Sequence, residues 1–335
     1  MRFVALALVL GAFAVALPGW AQIVPATPKQ TPVQQVAPFA APPVEAFSLQ
    51  PIAVAPGVWM VQGDSALGSP ANRNFISNAA FVVTDDGVLV VDALGSPALG
   101  RALIEAIGRI TSQPLRYVVV THYHADHIYG LQAFKAAGAT VIAHQLGREY
   151  LNSQTAALRL QASREELAPW IDADTHLVAA DRWIDAPLTL QLGSTPIVIQ
   201  PAGPAHTPED LVVWLPKQQV LLAGDIVFRN RLPYVGQADS SSWIAALDRL
   251  LAADPRIIVP GHGAVSTDAR TDLQLTRDYL SYLRQSMTDA ARNLTPFDEA
   301  YNSTDWSRFE HLPLFRAANR INAYNTYLLM EQTVK

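Results

Sequence analysis

The sequence predicts an α/β protein in which two β-sheets are sandwiched between helices. Short apolar segments rich in β-branched residues alternate with longer segments whose apolar residues recur at helical spacing. A β-rich stretch, a helix and mixed β/α units follow one another, and this succession occurs twice along the chain. Since helices and sheets must each bury an apolar face, two such halves favour two sheets with helices packed outside them.

Composition limits both the fold and the function. The chain has 335 residues, of which 50% are hydrophobic and 16% charged, which is typical of a globular protein with a large core. It contains no cysteine, so disulfides, thiolate nucleophiles and cysteine-ligated metals are excluded. The formal net charge is −5 without any basic block, so we expect no nucleic-acid partner. Any bound metal must be held by His, Asp or Glu.

The N-terminal segment is typical of an exported protein. Residues 1–21 form the predicted signal peptide, in which Arg2 precedes an apolar run and small residues suit cleavage after Ala21. Residues 22–46 carry six prolines and predict an extended linker. We therefore expect a periplasmic or secreted protein with no stable membrane anchor after the signal is cleaved.

The first half of the folded part contains five predicted strands and three predicted helices. Short apolar runs predict the strands, and the Asp86-Gly87 step between the second and third strand suits a tight hairpin. The strands cover residues 58–62, 79–83, 88–91, 117–120 and 140–143. Apolar residues at helical spacing predict the helices. The helices cover residues 98–110, 131–137 and 145–170.

The second half contains two predicted hairpins, a further strand and three helices. The hairpins turn at Gly193-Ser194 and at Pro216-Lys217. The strands cover residues 188–192, 197–200, 211–215, 220–223 and 257–259. The helices cover residues 243–251, 273–291 and 314–331, and the serines at positions 240–242 are expected to cap the first of them.

A dense group of potential metal ligands directly follows the predicted strand 117–120. His122, His124, Asp126 and His127 all lie there, although the whole chain has only eight histidines. In an extended segment, the side chains of His122 and His124 can point to the same side. A turn after them then places Asp126 and His127 beside the first two side chains. Since imidazole nitrogens and carboxylate oxygens are ligands of zinc, this segment predicts a metal site with room for two adjacent ions.

Three more residues of ligand type lie at the edges of predicted strands. His206 precedes an apolar strand, whereas Asp225 and His262 each follow one, and Gly or Pro flanks all three. Loops at strand ends are the usual place for functional residues, so these three are expected to complete two metal sites. The remaining candidates, His144, His176 and His311, are expected to be structural or solvated.

This set of residues resembles the metallo-β-lactamase superfamily over residues 55–265. The resemblance is carried by the HxHxDH pattern and by the segments AHTPEDLVVWLP, LLAGD and IIVPGHG. It implies a four-layer αβ/βα sandwich of two mixed β-sheets flanked by helices, with a catalytic domain over residues 47–268 and a C-terminal helical extension over residues 269–335. It also implies that Asp225 bridges two metals. The first would be held by His122, His124 and His206, and the second by Asp126, His127 and His262.

The activity implied by the resemblance is hydrolysis of a small-molecule ester, thioester, lactone or lactam. Two Zn²⁺ ions, with iron or manganese as alternatives, would supply a metal-bound hydroxide, and Asp126 would orient it and pass on its proton. The export signal, the segment FRNRLPYVGQADSSSWIAALDRL and the helical tail look most like the periplasmic hydrolases of the quinoprotein-relay or sulfur-oxidation-associated branch. That branch suggests a periplasmic dehydrogenase as a partner.

Other activities within this resemblance stay open. Zinc β-lactamases usually have Cys or Ser where Asp225 stands, whereas Asp is typical of glyoxalase II and the lactonases. A persulfide dioxygenase would hold a single iron with two His and an Asp, and flavo-diiron proteins have Glu where His124 stands. A non-catalytic accessory protein is a further alternative. Leu67, Phe75, Tyr129 and Tyr234 are candidates for lining the substrate pocket, because their loops adjoin the cluster.

Overall fold

The computed structural model describes residues 48–333. The predicted signal peptide and linker lie outside the described residues, so both stay predictions. Among residues 48–333, no helix combines the length and the apolar character needed to cross a bilayer.

The first sheet has seven strands, arranged in sequence order from one edge to the other. Neighbouring strands are antiparallel from the first to the fourth and parallel from the fourth to the seventh. The strands are β1 (Ile52–Ala55), β2 (Val58–Val61), β3 (Ala79–Thr84), β4 (Gly87–Val91), β5 (Leu115–Val119), β6 (Thr140–His144) and β7 (Arg182–Ile184).

The second sheet has five strands, in the order β12-β11-β10-β9-β8. They are β8 (Leu188–Leu192), β9 (Thr195–Pro201), β10 (Leu211–Leu215), β11 (Val220–Phe228) and β12 (Ile257–His262). β11 and β12 are parallel, and the other neighbours are antiparallel. Both sheets are therefore mixed, as the sequence predicted.

Helices cover the outer face of each sheet. Those that follow strands of the first sheet are α1 (Pro97–Ile110), α2 (Ala125–Ile128), α3 (Leu131–Ala136), α4 (Gly147–Leu151) and α5 (Gln154–Glu166). Those of the second half are α6 (Ser240–Ala253), α7 (Ala269–Arg292), α8 (Phe297–Ser303) and α9 (Phe315–Thr333).

Three buried apolar clusters join these layers. Along β4 the side chains alternate, so that Val88 and Val90 face the first group of helices while Leu89 and Val91 face the second sheet. A strand buried on both faces has the continuous apolar sequence seen here. The cluster between the sheets contains side chains of both, and the third joins the second sheet to α6, α7 and α9. The predicted four-layer sandwich is confirmed.

Some local predictions were wrong. The helix expected over residues 145–170 is divided into α4 and α5, because Ser153 leaves the helix and caps α5 by accepting a hydrogen bond from Ala156 N. The serines expected to cap α6 lie inside it. Its cap is Asp239, whose carboxylate accepts from Ser241 N at 3.0 Å. Strands β1 and β7 and helices α2 and α8 were not predicted, and α2 stands where a turn was expected.

The C-terminal helices hold a loop that follows β11. Asn322 on α9 is fully buried and accepts a hydrogen bond from Val235 N at 2.9 Å. Its amide nitrogen donates to Pro233 O at 2.8 Å and to the Tyr279 hydroxyl at 3.0 Å. Asn325, one turn further on, donates to Gly236 O at 2.7 Å. Residues 232–236, which we call the β11 loop, are thus positioned by α7 and α9.

We expect Asn322→Ala to lower the free energy of unfolding by about 1–3 kcal/mol, because it leaves buried backbone groups without partners. Urea denaturation followed by circular dichroism measures this change. The matched control is Asn325→Ala, which should cost less than about 1 kcal/mol because water can reach this half-buried site. Equal losses in the two variants would contradict the role assigned to Asn322.

Candidate metal centre

The seven predicted ligands converge at one end of the two sheets. His122 and His124 lie between β5 and α2, and Asp126 and His127 lie on α2 itself. The other three come from the second sheet. His206 lies in the loop between β9 and β10, as expected. Asp225 and His262 were expected to follow strands, but β11 continues to Phe228 and so contains Asp225, and His262 is the last residue of β12.

The first group is formed by three histidines that present their ring nitrogens to one another. His124 Nδ1 lies 3.2 Å from His122 Nε2 and 2.9 Å from His206 Nε2. With one carboxylate oxygen of Asp225, these ligand atoms all lie within 4.8 Å of each other. Such a set of nitrogen and oxygen donors suits a zinc ion.

The second group lies beside the first. Asp126 Oδ2 is 3.5 Å from His127 Nε2 and 3.3 Å from His262 Nε2. Their ligand atoms also lie within 4.8 Å of one another. The side chain of Asp126 is 17% exposed, whereas those of His127 and His262 are 0% and 4% exposed.

Asp225 lies between the two groups. Its Oδ1 is 3.2 Å from His127 Nε2, and its Oδ2 is 3.2 Å from His262 Nε2. The same Oδ2 lies 3.5 Å from His206 Nε2 and 3.8 Å from His122 Nε2. A single carboxylate therefore contacts histidines of both groups, which is the arrangement that a bridging ligand requires.

Two buried atoms at the centre indicate that the donor set fits a cation. Among the described residues, His127 Nε2 and Asp225 Oδ1 have no hydrogen-bond partner, although they lie close together and are shielded from solvent. Buried polar atoms are rarely left unsatisfied, and a bound ion satisfies such atoms in many proteins. The donors here, imidazole nitrogens and carboxylate oxygens, are those expected of such a site.

The protonation preferences of the first group favour metal binding. Burial lowers the pKa of His122 well below its ordinary value and that of His206 to about 3, and the neighbouring histidines add to both shifts. Burial also lowers the pKa of His124. All three imidazoles are therefore neutral near pH 7, and neutral imidazole is the form that binds a metal.

The carboxylates concentrate negative charge on the second group. Burial by itself would raise the pKa of Asp225, but the nearby His262 and His127 outweigh it and hold that pKa well below its usual value. Burial would lower the pKa of His127, yet Asp225, Asp126 and Asp92 raise it well above normal. The centre therefore attracts positive charge at the point where the two groups meet.

Asp92, which the sequence interpretation missed, orients His127. It follows β4, and its carboxylate accepts hydrogen bonds from Thr121 N, from Thr121 Oγ1 and from His127 Nδ1, each at 2.8 Å. A proton on Nδ1 leaves Nε2 free to bind a metal, which is how a carboxylate usually supports a ligating histidine. Asp92 lies 35 positions before His127, so no local motif indicated this contact.

Asn78 and a backbone carbonyl orient His262. The Nδ1 of His262 lies 2.7 Å from Ile76 O, to which it can donate. The amide nitrogen of Asn78 donates to Pro260 O and to Gly263 O, both at 2.8 Å, and so ties the end of β12 to the first sheet. The two sheets are thus held in register at the point where both contribute ligands.

The loop that bears His206 is fixed by the buried Asp210. Its carboxylate accepts from Thr207 N at 2.8 Å and from Thr207 Oγ1 at 2.9 Å. The His206 ring packs edge-on against Trp243, with the centroids 5.2 Å apart. Rings and hydrogen bonds together restrict the direction in which His206 Nε2 points.

A cleft of about 540 Å³ opens above the centre. Leu67 and Tyr234 line it, as expected. Phe75 and Tyr129 do not, because both pack into the core beneath the first group of helices. The sequence interpretation missed several lining residues: Ile76, Tyr150, Arg231, Leu232, Leu314 and Ala318. Most lie outside recognisable motifs, and only the fold brings them together.

The other histidines are not part of a potential metal cluster within residues 48–333. His144 is half-buried and accepts a hydrogen bond from Leu146 N, and His176 and His311 are exposed. Their predicted structural or solvated character agrees with these positions.

Comparisons with known sequences agree with the resemblance inferred from the motifs. The family model described as "Metallo-beta-lactamase superfamily" matches residues 72–262. A relative named metallo-beta-lactamase type 2, from Bacillus sp. (strain 170), is 29% identical over 194 residues, or 56% of this chain and 67% of the relative. A linear primary-alkylsulfatase from Pseudomonas sp. (strain ATCC 19151) is 25% identical over 248 residues, or 63% of this chain and 47% of the relative. The chain thus spans less than half of that sulfatase.

Solved structures share the fold. A metallo-beta-lactamase from Pontibacter korlensis superposes with a TM-score of 0.55 at 23% identity, covering 70% of this chain and 99% of that one. A stereoselective inverting sec-alkylsulfatase from Pseudomonas sp. superposes with a TM-score of 0.66 at 18% identity, covering 84% of this chain and 50% of that one. At these identities the likeness shows the fold alone. Assignment to the quinoprotein-relay branch and the individual ligand roles stay predictions.

We expect Gly261→Ala to weaken zinc binding by at least about tenfold, because the ligands tolerate little displacement. A Cβ at this position would collide with Asp225 Oδ1 and would lie 2.7 Å from the Gly224 carbonyl carbon. Titration of zinc against a chromophoric chelator measures the affinity. The control is Gly108→Ala on α1, where a Cβ would meet no atom within 4 Å and zinc binding should not change.

We expect Asp92→Asn to weaken the binding of one zinc ion by about 10–100-fold, because an amide cannot accept all three of the hydrogen bonds made by the carboxylate. The same titration against a chromophoric chelator measures the affinity for each zinc ion. One of the two ions should compete less well with the chelator than it does in the wild-type protein. Asp86→Asn is the control, since Asp86 is exposed and pairs with Arg116 away from the centre. Unchanged zinc affinity in Asp92→Asn would show that Asp92 does not orient His127.

Proposed function

This chain belongs to the metallo-β-lactamase superfamily and is a metal-dependent hydrolase, and from this premise we propose that it is a secreted dinuclear zinc enzyme that cleaves an ester, thioester, lactone or lactam bond. The observation that carries the proposal is the position of Asp225. Its carboxylate lies within 3.2 Å of His127 and His262 in one group and 3.5 Å of His206 in the other. One shared carboxylate between two donor sets supports two ions rather than one.

The residues divide into two ligand sets around this carboxylate. His122, His124 and His206 would hold one zinc, and Asp126, His127 and His262 the other, with Asp225 shared. Two adjacent zinc ions lower the pKa of a water to about 7 and polarise a substrate carbonyl. No serine, cysteine or lysine nucleophile is needed for such a hydrolysis.

Asp126 is the best placed proton acceptor. Both Asp126 and Asp225 line the cleft, but the side chain of Asp126 is 17% exposed and that of Asp225 only 5%. Burial would raise the pKa of Asp126, but the neighbouring His127 and His262 outweigh burial and lower it, so the carboxylate is ionised. An ionised carboxylate at the cleft floor can orient a water molecule by accepting its hydrogen bond and can take up its proton.

A second candidate is cleavage of a sulfate ester. A linear primary-alkylsulfatase is among the relatives, and its match covers 63% of this chain. The same seven side chains could serve this reaction, so the geometry of the centre does not separate it from acyl-bond hydrolysis. The substrate assay decides between them. Secretion, which depends on residues 1–21, and a periplasmic dehydrogenase partner are further parts of the proposal.

The purified full chain is expected to contain about two zinc ions, because two donor sets are present. Hydrolysis should be lost on chelation and restored by zinc. Elemental analysis and a screen of lactones, thioesters, β-lactams and alkyl sulfates test this. His122→Ala should abolish the activity found, whereas the control His176→Ala should retain it, since His176 is exposed and outside the cluster.

The persulfide dioxygenase alternative gives opposite results in the same experiment. It predicts one iron per chain, no zinc, and oxygen consumption when a persulfide is added. That combination would overturn the dinuclear zinc proposal, and so would full activity after complete removal of metal.

A further inference from the structure

We propose that the outer face of α9 is a dimer interface, on which α9 of a second copy of this chain packs in the antiparallel direction. The inference goes beyond the proposed hydrolysis and does not depend on the metal centre. It rests on three features of the described residues. These are a patch of exposed apolar side chains, a leucine held in a backbone conformation that favours glycine, and charges of opposite sign at the two ends of α9.

The outer face of α9 is apolar although it is exposed. The inner face packs on α7 and the second sheet. On the other side of the helix, Ile321, Tyr324 and Leu328 are 43%, 41% and 37% exposed. Their spacing of three and four residues places these side chains next to one another on one face. A helix that faces water on its outer side usually carries polar residues there, so α9 has the pattern of a helix that packs on both sides.

Exposed apolar side chains are concentrated in this region. In the part of the chain that the structure describes, nine large apolar side chains are exposed; three of them lie on α9 and a fourth is Leu294, in the loop before α8. That loop contacts α9, since the Tyr327 hydroxyl donates to Thr295 O at 3.0 Å. Such groups of exposed apolar residues commonly mark a protein–protein interface. We call the four residues the α9 patch: Leu294, Ile321, Tyr324 and Leu328.

Leu294 occupies a backbone position at which glycine is usual. Leu294 N donates to Ala291 O at 3.2 Å and Thr295 N donates to Ala290 O at 2.9 Å, a pattern that ends many helices. The residue after the helix then has a left-handed φ, here 55°, which costs free energy for leucine but not for glycine. Because Leu294 is 86% exposed, packing within its own chain offsets little of this cost. Contact with another molecule would offset more.

The charges at the ends of α9 indicate which molecule this is. Arg316 lies in the first turn and Glu331 in the last, and neither forms an ion pair with another described residue. A cation at the N-terminus of a helix and an anion at its C-terminus are both unfavourable to the helix dipole. In an antiparallel pair, each charge lies beside the end of the partner helix that attracts it. The charges of α9 therefore complement a second α9 in the opposite direction.

A single register satisfies both the apolar residues and the charges. Arg316 and Glu331 are a little over four turns apart, about 22 Å along the axis, so their side chains lie toward the same side of the helix. A twofold axis beside Tyr324 places Arg316 opposite the partner's Glu331. The same axis places Ile321 between the partner's Tyr324 and the partner's Leu328. Each contact then occurs twice, as in other twofold-symmetric dimers.

A lipid surface fits α9 less well than a second copy. Helices that lie on membranes usually carry several Lys and Arg residues along the polar side. The exposed side of α9 carries both signs of charge, and the whole chain has a formal net charge of −5. An anionic membrane would repel such a chain, whereas charges of both signs suit a protein partner.

Sedimentation equilibrium of the full chain over about 1–500 µM tests the dimer. One pair of helices with its flanking loop gives an interface at the small end of the usual range, so we expect a Kd of roughly 1–100 µM. Ile321→Gln should raise the Kd at least about tenfold, because the change is present twice in the interface. The matched control is Ile110→Gln at the end of α1, on the opposite side of the sandwich. Ile110 is 37% exposed, and its substitution should not change the Kd.

Leu294→Gly separates association from folding. Glycine suits the left-handed backbone at this position, so the variant should not lower the melting temperature measured below the Kd, where the chain is monomeric. Removal of the exposed side chain should nevertheless raise the Kd about threefold or more. A lower melting temperature with an unchanged Kd would show that Leu294 serves only the fold of its own chain.

Charge reversal tests the antiparallel register. Arg316→Glu and Glu331→Arg should each raise the Kd, although each improves the charge pattern of its own helix and so should not unfold it. The double variant Arg316→Glu/Glu331→Arg should recover most of the wild-type affinity, because opposite charges again face each other. Recovery of this kind is expected only if the two positions meet across the interface.

Three results would overturn the inference. The wild-type chain could stay monomeric up to 500 µM, or it could form a dimer whose Kd does not respond to Ile321→Gln. A monomer that floats with phosphatidylglycerol vesicles and loses this binding in Ile321→Gln would identify a lipid surface as the occupant instead. Failure of the double variant to recover affinity would refute the antiparallel register. Zinc content and hydrolysis do not enter these measurements, so the proposed function stands or falls separately.

Discussion

The buried carboxylate of Asp225 is the group on which the organisation of this centre depends. An isolated carboxylate is costly to bury, and Asp225 is tolerated because imidazole nitrogens from both sheets surround it. It lies within β11, directly beside β12 and His262, while His127 comes from the first sheet. The centre exists only when the two sheets pack in one register. The apolar layer between them and the hydrogen bonds of Asn78 supply that register.

Around the seven side chains lies a second set of contacts that restricts their orientation. Asp92 supports His127, the Ile76 carbonyl is available to His262, and Asp210 fixes the loop of His206. In each case a buried polar group is satisfied by hydrogen bonds, and the ligand nitrogen is left facing the centre. The cost of burying so many polar groups is therefore offset within the network, and the ligands are held before any ion arrives.

The cleft combines two parts of the chain with different roles. The family match ends at residue 262, so the ligand set lies inside the matched region. The C-terminal helices lie beyond it, yet α9 binds the β11 loop, and Leu314 and Ala318 line the cleft. The potential metal ligands thus come from the region that the family model matches. The lining of the cleft also depends on helices outside that region. Relatives with similar centres can therefore differ in what they recognise.

Sequence alone determined the two-sheet α/β class, most strands, and the seven side chains that meet, because apolar periodicity and residues at strand ends are local signals. It did not reveal Asp92 or Asn78, whose roles arise from contacts between distant positions, such as Asn78 and Pro260, which are 182 positions apart. It also misplaced Phe75 and Tyr129, since packing decides whether a loop side chain turns toward the cleft or into the core. Tertiary structure decided the supporting contacts and the walls of the cleft, because these depend on how the two sheets and the C-terminal helices pack together.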